Sequence, residues 1–315
     1  MMKNLLIKWI LVVIVLSFGT DSFAQFAVAG LKGSKGEYCM TKLTEDDYKK
    51  LKKCITYFVC PQTLLKEREE LQILLDEAWD YTDIVVIGND EVKEYIKKKN
   101  SAFIDISILT NPTIQEIYME LAIVGEKRVR YARFNLNFNC KMAQVIKKDG
   151  TTELFKYFDT EADILNLKPG IIANYLKMIA TKLNEKEFVD CQAKIKNAEE
   201  LKNLEKDTLF ITDNAKIKFL ATAFKFGCET DEEVDVEKLM KRYPFPYQFV
   251  TFEELSNKII NGDEFYYAIC LKTQDNLNHV SVYKSKTGEC VYNSFSVGAQ
   301  FVNGDFEKIA KLVKK

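Results

Sequence analysis

The chain has 315 residues, with 45 basic and 46 acidic side chains and one histidine, for a formal charge of -1. That balance leaves no electrostatic footprint for nucleic acid or an acidic membrane surface. With only five prolines and thirteen glycines and no low-complexity stretch, the composition excludes a stalk or disordered tail.

Residues 1–24 read as an export signal. Lys3 and Lys8 precede an apolar run from Trp9 to Phe18, and the small Ala24 stands before Gln25. The run is half of the ~20 residues that a membrane span needs, so cleavage between Ala24 and Gln25 is expected rather than anchoring. The first cysteine, Cys39, is too far from the cut for an acylated lipoprotein. The expected product is periplasmic or secreted, with no stable membrane insertion after cleavage. It keeps 43 basic and 45 acidic side chains, enough chain for two modest domains or one large one.

A helix capped by Thr44 leads to a strand at Ile55 to Cys60, stopped by Pro61. Leu64, Arg68, Leu71, Leu74, Leu75 and Ala78 recur at helical spacing up to Trp79. TDIVVIG predicts a short buried strand, NDEVKEYIKKK a helix capped by Asn89 or Asp90, and SAFIDISIL an interior strand. IYMELAIV and VRYARFNLNF, joined by GEKR, read as a β-hairpin, and Pro169 with Gly170 begins a helix over KPGIIANYLKMIATKLN. The second half repeats this order: strand DTLFITD, helix DVEKLMKRY, strand PYQFVT, helix FEELSNKIING ending at Gly262, strand FYYAICLKT, hairpin HVSVYKSKTGECVYNSF and helix DFEKIAKLVKK.

The pattern predicts an α/β fold of two tandem mixed-sheet halves, each running strand, helix, strand, helix, strand, hairpin, helix. The expected boundaries are a signal peptide at 1–24, a first α/β domain at 25–183, a helical linker at 184–206 and a second α/β domain at 207–315. DIVVIGNDEVKEYIKKKNSAFIDISI corresponds to YQFVTFEELSNKIINGDEFYYAICL, which suggests duplication. In outline each half resembles the N-terminal domains of TolB-like envelope proteins and overlaps the thioredoxin outline. KPGIIANYLKMI, DTLFITD, FEELSNKI with FYYAI, and SKTGECVY together resemble a group of exported bacterial proteins of unassigned activity. That resemblance carries over no catalytic residue.

No chemical motif stands out. His279 opens HVSVY without a G-x-S-x-G nucleophile elbow anywhere in the chain, so a turn or strand-edge histidine is expected. Of the eight cysteines (Cys39, Cys54, Cys60, Cys140, Cys191, Cys228, Cys270 and Cys290) none forms C-x-x-C, and Cys60 and Cys270 sit in apolar runs as core residues. Zero to two disulfides are expected. The acidic run ETDEEVDVE lacks the order of a calcium loop and reads as a solvated loop leading into a helix N-terminus. No cofactor, metal site or catalytic residue is expected.

Two clusters are candidate recognition surfaces. Arg128, Arg130 and Arg133 beside Tyr131 form a hairpin patch suited to an anionic surface or partner, or to blunting an edge strand. Tyr243, Phe245, Tyr247 and Phe249 alternate around Pro244 and Pro246, as a ligand groove or as core packing. By elimination the expected function is a non-catalytic binding protein of the cell envelope that uses a sheet edge or the cleft between its halves to meet an envelope protein or extracellular ligand. A hydrolase working through acidic residues is the alternative.

Overall fold

Thr44 opens the first helix of the computed structural model, which describes residues 43–110, 115–123, 129–135, 141–146, 152–157, 166–187, 195–220, 228–272, 277–297 and 301–315. The signal segment, with Ala24 and Gln25, lies outside the described residues. In helix α1 (Glu45–Leu51) the Thr44 hydroxyl accepts from the Asp47 N–H while the Asp47 carboxylate takes the Thr44 N–H, a complete capping box. Strand β1 (Ile55–Val59) follows, then α2 (Arg68–Ala78), β2 (Ile84–Ile87), α3 (Val92–Tyr95), β3 (Ser101–Thr110), β4 (Gln115–Ile123) and β5 (Val129–Asn135). A separate hairpin of β6 (Lys141–Ile146) and β7 (Thr152–Tyr157) precedes α4 (Pro169–Asn184). Pro169 starts α4 because a first-turn proline gives up an N–H that has no helical partner anyway.

The second half begins with β8 (Ile195–Lys196), α5 (Ala198–Leu201) and β9 (Leu209–Thr212), then a hairpin of β10 (Ile217–Leu220) and β11 (Cys228–Glu233). It continues through α6 (Val236–Met240), β12 (Tyr247–Val250), α7 (Phe252–Ile260), β13 (Tyr266–Lys272), β14 (Leu277–Lys284), β15 (Cys290–Val297) and α8 (Asn303–Val313). Helix α7 is framed by a Thr251/Glu254 capping box and by Gly262, whose φ of +77° closes the C-terminus in a conformation that suits glycine.

The expected α/β class is correct. The first sheet has the order β2-β1-β3-β4-β5 and the second β12-β9-β13-β14-β15-β8. In each, a first strand lies between two parallel neighbours and the third strand begins an antiparallel run. The two sheets share this arrangement because both crossovers place their second strand outside the first and their third strand on its other side.

Period-two alternation loads both faces of each sheet. Phe58, Val86 and Ile104 face a large core that also takes in Leu71 and Leu75 of α2, while Tyr57, Val59, Ile87 and Phe103 pack with Val92 of α3 on the opposite face. In β13, Tyr267 and Ile269 join the large core, whereas Tyr266, Ala268 and Cys270 face a second core built with Leu239 of α6 and Ile309 of α8. Helices α2, α4 and α7 therefore form one layer clasped by both sheets. Ile171, Ile172, Leu176, Ile179 and Leu183 of α4 are all buried in it, each contributing about 1.5–3 kcal/mol. The cleft anticipated between the halves is filled by α4.

Close backbone contacts lock this layer. A Cβ on Gly170 would lie 2.3 Å from the Ser256 carbonyl oxygen, and one on Gly288 would lie 2.2 Å from that of Asn174. Asn174, fully buried, donates from Nδ2 to the Tyr267 hydroxyl at 2.6 Å and to the Lys284 carbonyl at 3.3 Å.

Several expectations need correction. The stretch after Asn89 forms only a single helical turn, because the Ser101 hydroxyl binds the carbonyls of Tyr95 and Lys98 and takes the chain out of the helix. The segment 184–206 is not a continuous helix: within it β8 pairs with β15, and Asn197 caps the short α5. Residues 188–194 lie outside the described residues. The acidic run is not a loop, since its first part is β11, paired with β10, and Asp235 then caps α6 through the Lys238 N–H. His279 is neither at a turn nor at an edge, being in register with Leu271 and Phe295 inside β14.

Candidate functional site

The C-terminal ends of α6 and α8 bring together residues far apart in sequence. Lys241, Arg242 and Pro244 from the first, with Glu307, Ala310, Lys311 and Lys314 from the second, line an open groove of about 350 Å³. Cations gather here for a local reason as well, since helix C-termini carry partial negative charge that lysine and arginine offset. Glu307 accepts from Arg242 at 2.6 Å and from Lys311 at 2.8 Å. Lys311, then Arg242, hold its carboxyl below the usual glutamate range. Lys241 and Lys314 have no ion-pair partner among the described residues, so the groove stays net positive.

Pro244 connects this groove to the aromatic row. Tyr243 is buried in the core beneath α6, with ring centroids 5.6 Å from Phe245 and 6.3 Å from Tyr247, and Tyr247 is 5.8 Å from Phe249. Burial pushes the Tyr243 hydroxyl well above its ordinary range. Tyr247 is 37% exposed, and the Lys216 ammonium lies 5.7 Å from the Phe249 ring. The core-packing reading of YPFPYQF holds for Tyr243, while Tyr247 shows a face to solvent on the outer strand of its sheet.

A third group lies at the carboxyl ends of β9 and β12, where the crossover connections part and α/β sheets place ligands. Asp213 is half-buried, and desolvation raises its carboxyl pKa against the pull of Lys216. Glu254, fixed by the Thr251 N–H and hydroxyl, is lowered instead. Asn214 beside them is buried, its Nδ2 donating to the Cys270 carbonyl, with no partner for Oδ1. Among the described residues no group of three or more side chains is arranged to hold a metal ion.

The arginine patch lies on β5, the outermost strand of the first sheet, with Arg130 in register with Ala122 and Arg133 with Glu120, and a register shift where Tyr131 falls. Arg128 lies outside the described residues. Cys60 and Cys270 are buried, as expected of small hydrophobic residues. Burial raises the Cys54 and Cys270 thiols above their ordinary range, which makes them poor nucleophiles. Sequence reading missed the α6/α8 groove because its lysines look like ordinary solvated helix ends. The one available signal was the KR pair directly before the YPFP turn. No known family matches the chain, and no curated protein or solved structure matches it either.

Proposed function

We propose that this is a non-catalytic binding protein of the bacterial cell envelope or secreted fraction, engaging an anionic partner through the face built by α6, β12 and α8. The observation that carries the reading is the open groove of four cations around one carboxylate, joined to a row of aromatic rings with a half-exposed Tyr247. Arginine and tyrosine are among the residues that dominate binding hot spots, and the lysines around them set the charge of the partner. Export directed by residues 1–24, and descent of the two halves from one duplicated unit, belong to the same proposal. Among the described residues no helix is long and apolar enough to cross a membrane.

The test is crosslinked affinity capture of the tagged mature protein from native envelopes, with three versions compared. These are the wild type, Lys311→Glu with Lys314→Glu, and Arg130→Ser with Arg133→Ser. Loss of a specific partner only in the lysine variant supports the α6/α8 face. Loss only in the arginine variant moves the site to β5.

A second reading, a hydrolase using acidic residues, is favoured by Asp213 and Glu254, whose environments push their pKa values in opposite directions as a general acid and base require. Screening ester, phosphate and glycoside substrates with wild type and Asp213→Asn tests it. An activity lost in the variant would displace the binding reading.

A further inference from the structure

The two sheets treat their equivalent outer strands differently. On β2 the backbone groups that point away from the sheet are taken by side chains of α2. The Val86 N–H donates to Gln72 Oε1 at 2.7 Å, Gln72 Nε2 donates to the Ile84 carbonyl at 3.0 Å, and Arg68 donates to the Val86 carbonyl at 2.6 Å. That edge is closed. At β12 the Pro246 carbonyl points inward and accepts from the Leu209 N–H of β9 at 3.0 Å, so by strand alternation the N–H and C=O of Tyr247 and Phe249 point outward. Helix α6 is one turn and a half against three turns for α2, and among the described residues none of its side chains hydrogen-bonds β12. No strand among the described residues pairs with this side of β12, and Tyr247 and Gln248 are exposed.

We propose that β12 is a docking edge for an extended peptide segment of a partner protein, which adds as a further strand beside Tyr247–Val250 and carries acidic side chains at the end that meets the α6/α8 groove. Open backbone donors and acceptors supply the strand pairing. The Tyr247 ring gives a surface for the alternate side chains, and the net positive groove at the Pro244 end sets the charge of the ligand and its polarity along the edge. The inference rests on the binding reading above and narrows it to one partner chemistry.

Dye-labelled peptides of alternating threonine and valine, with a run of glutamates at either end, are titrated against the mature protein by fluorescence anisotropy. Lysine-ended peptides serve as the charge control. One glutamate-ended peptide is expected to bind, with affinity falling as salt rises, and the lysine-ended ones are not. Tyr247→Pro deletes an outward N–H and keeps the inward pairing, whereas Tyr247→Thr keeps both and loses only the ring. The proline variant is expected to bind about five- to ten-fold more weakly than the threonine variant, with unchanged circular dichroism and thermal midpoint confirming that both are folded. Equal binding by the two folded variants, or equal binding of acidic and basic peptides, overturns the proposal. So does concentration-dependent self-association that Tyr247→Pro abolishes, because the edge then belongs to a second copy of this chain. If no peptide binds while the lysine variant still loses its captured envelope partner, strand addition fails and the binding reading survives.

Discussion

Replacing Gly288 by alanine tests how tightly α4 is wedged between the two sheets. Gly288 has φ +72°, and an added Cβ would lie 2.2 Å from the Asn174 carbonyl oxygen and 3.1 Å from the Met178 nitrogen. The conformation itself costs alanine about 1 kcal/mol, partly offset by about 0.5 kcal/mol from the stiffer unfolded chain. Relieving the contact requires the turn and the helix to separate by roughly an ångström in a packed interior, which adds about 1–3 kcal/mol. Gly262 supplies the control, with φ +77° and nothing within 4 Å of its added Cβ. Gly262→Ala should cost under about 1 kcal/mol and Gly288→Ala about 1.5–3.5 kcal/mol, measured by urea unfolding with the slope unchanged. Values for the two variants within about 0.5 kcal/mol of each other would refute the wedge, because backbone strain alone would then explain both.

Other expectations follow from the edges, the ion pairs and the thiols. Gln72→Ala should destabilise by about 1–2 kcal/mol and make the protein self-associate in sedimentation, since it uncovers the Val86 N–H and Ile84 carbonyl of an outer strand. Glu91 is held below the usual glutamate range by the Gly88 N–H and then by Arg68. Its contribution is therefore present above the unfolded-state pKa and lost as pH falls through the lower folded one. Glu91→Gln should cost about 1 kcal/mol at neutral pH and converge with wild type in acid unfolding. Asp213 carries the opposite sign, its raised folded pKa making the ionised form a burden as pH rises through it, so Asp213→Asn should raise the thermal midpoint at neutral pH and leave it unchanged in strong acid. In site-resolved alkylation of the native protein, Cys290, which is partly exposed, should react before the buried Cys54, Cys60 and Cys270.

Where local chemistry decides a structure, the sequence displays it plainly. Thr44 with Asp47, Thr251 with Glu254, Pro169 at a helix start and Gly262 at a helix end each satisfy or terminate a run of backbone groups using residues a few positions away. The alternation in FYYAIC likewise anticipates a strand buried on both faces, with Tyr266 and Tyr267 in different cores. The antiparallel pair of β6 and β7 also leaves a mark in the sequence, an Asp-Gly dipeptide between two strand-forming runs. Strand β11 leaves none, because CETDEE has almost no intrinsic strand preference and forms through its partner β10. The merged core was hidden for a similar reason. Gly170 and Gly288 read as a helix start and a turn glycine, and only tertiary contact reveals that each admits a neighbouring backbone. The groove depends on the same long-range placement of α6 beside α8, whereas the aromatic alternation that marks β12 is visible in YPFPYQF itself.

The most direct test of the central claim places a photocrosslinking amino acid at position 247 of the mature protein and, separately, at exposed position 73 on the outer face of α2. Both are irradiated in native envelopes, with and without Lys311→Glu and Lys314→Glu. The binding account predicts a discrete crosslinked product from position 247 that vanishes in the lysine variant, and none of that product from position 73. The same product from both positions, or one from position 247 that is indifferent to the lysine substitutions, would contradict it.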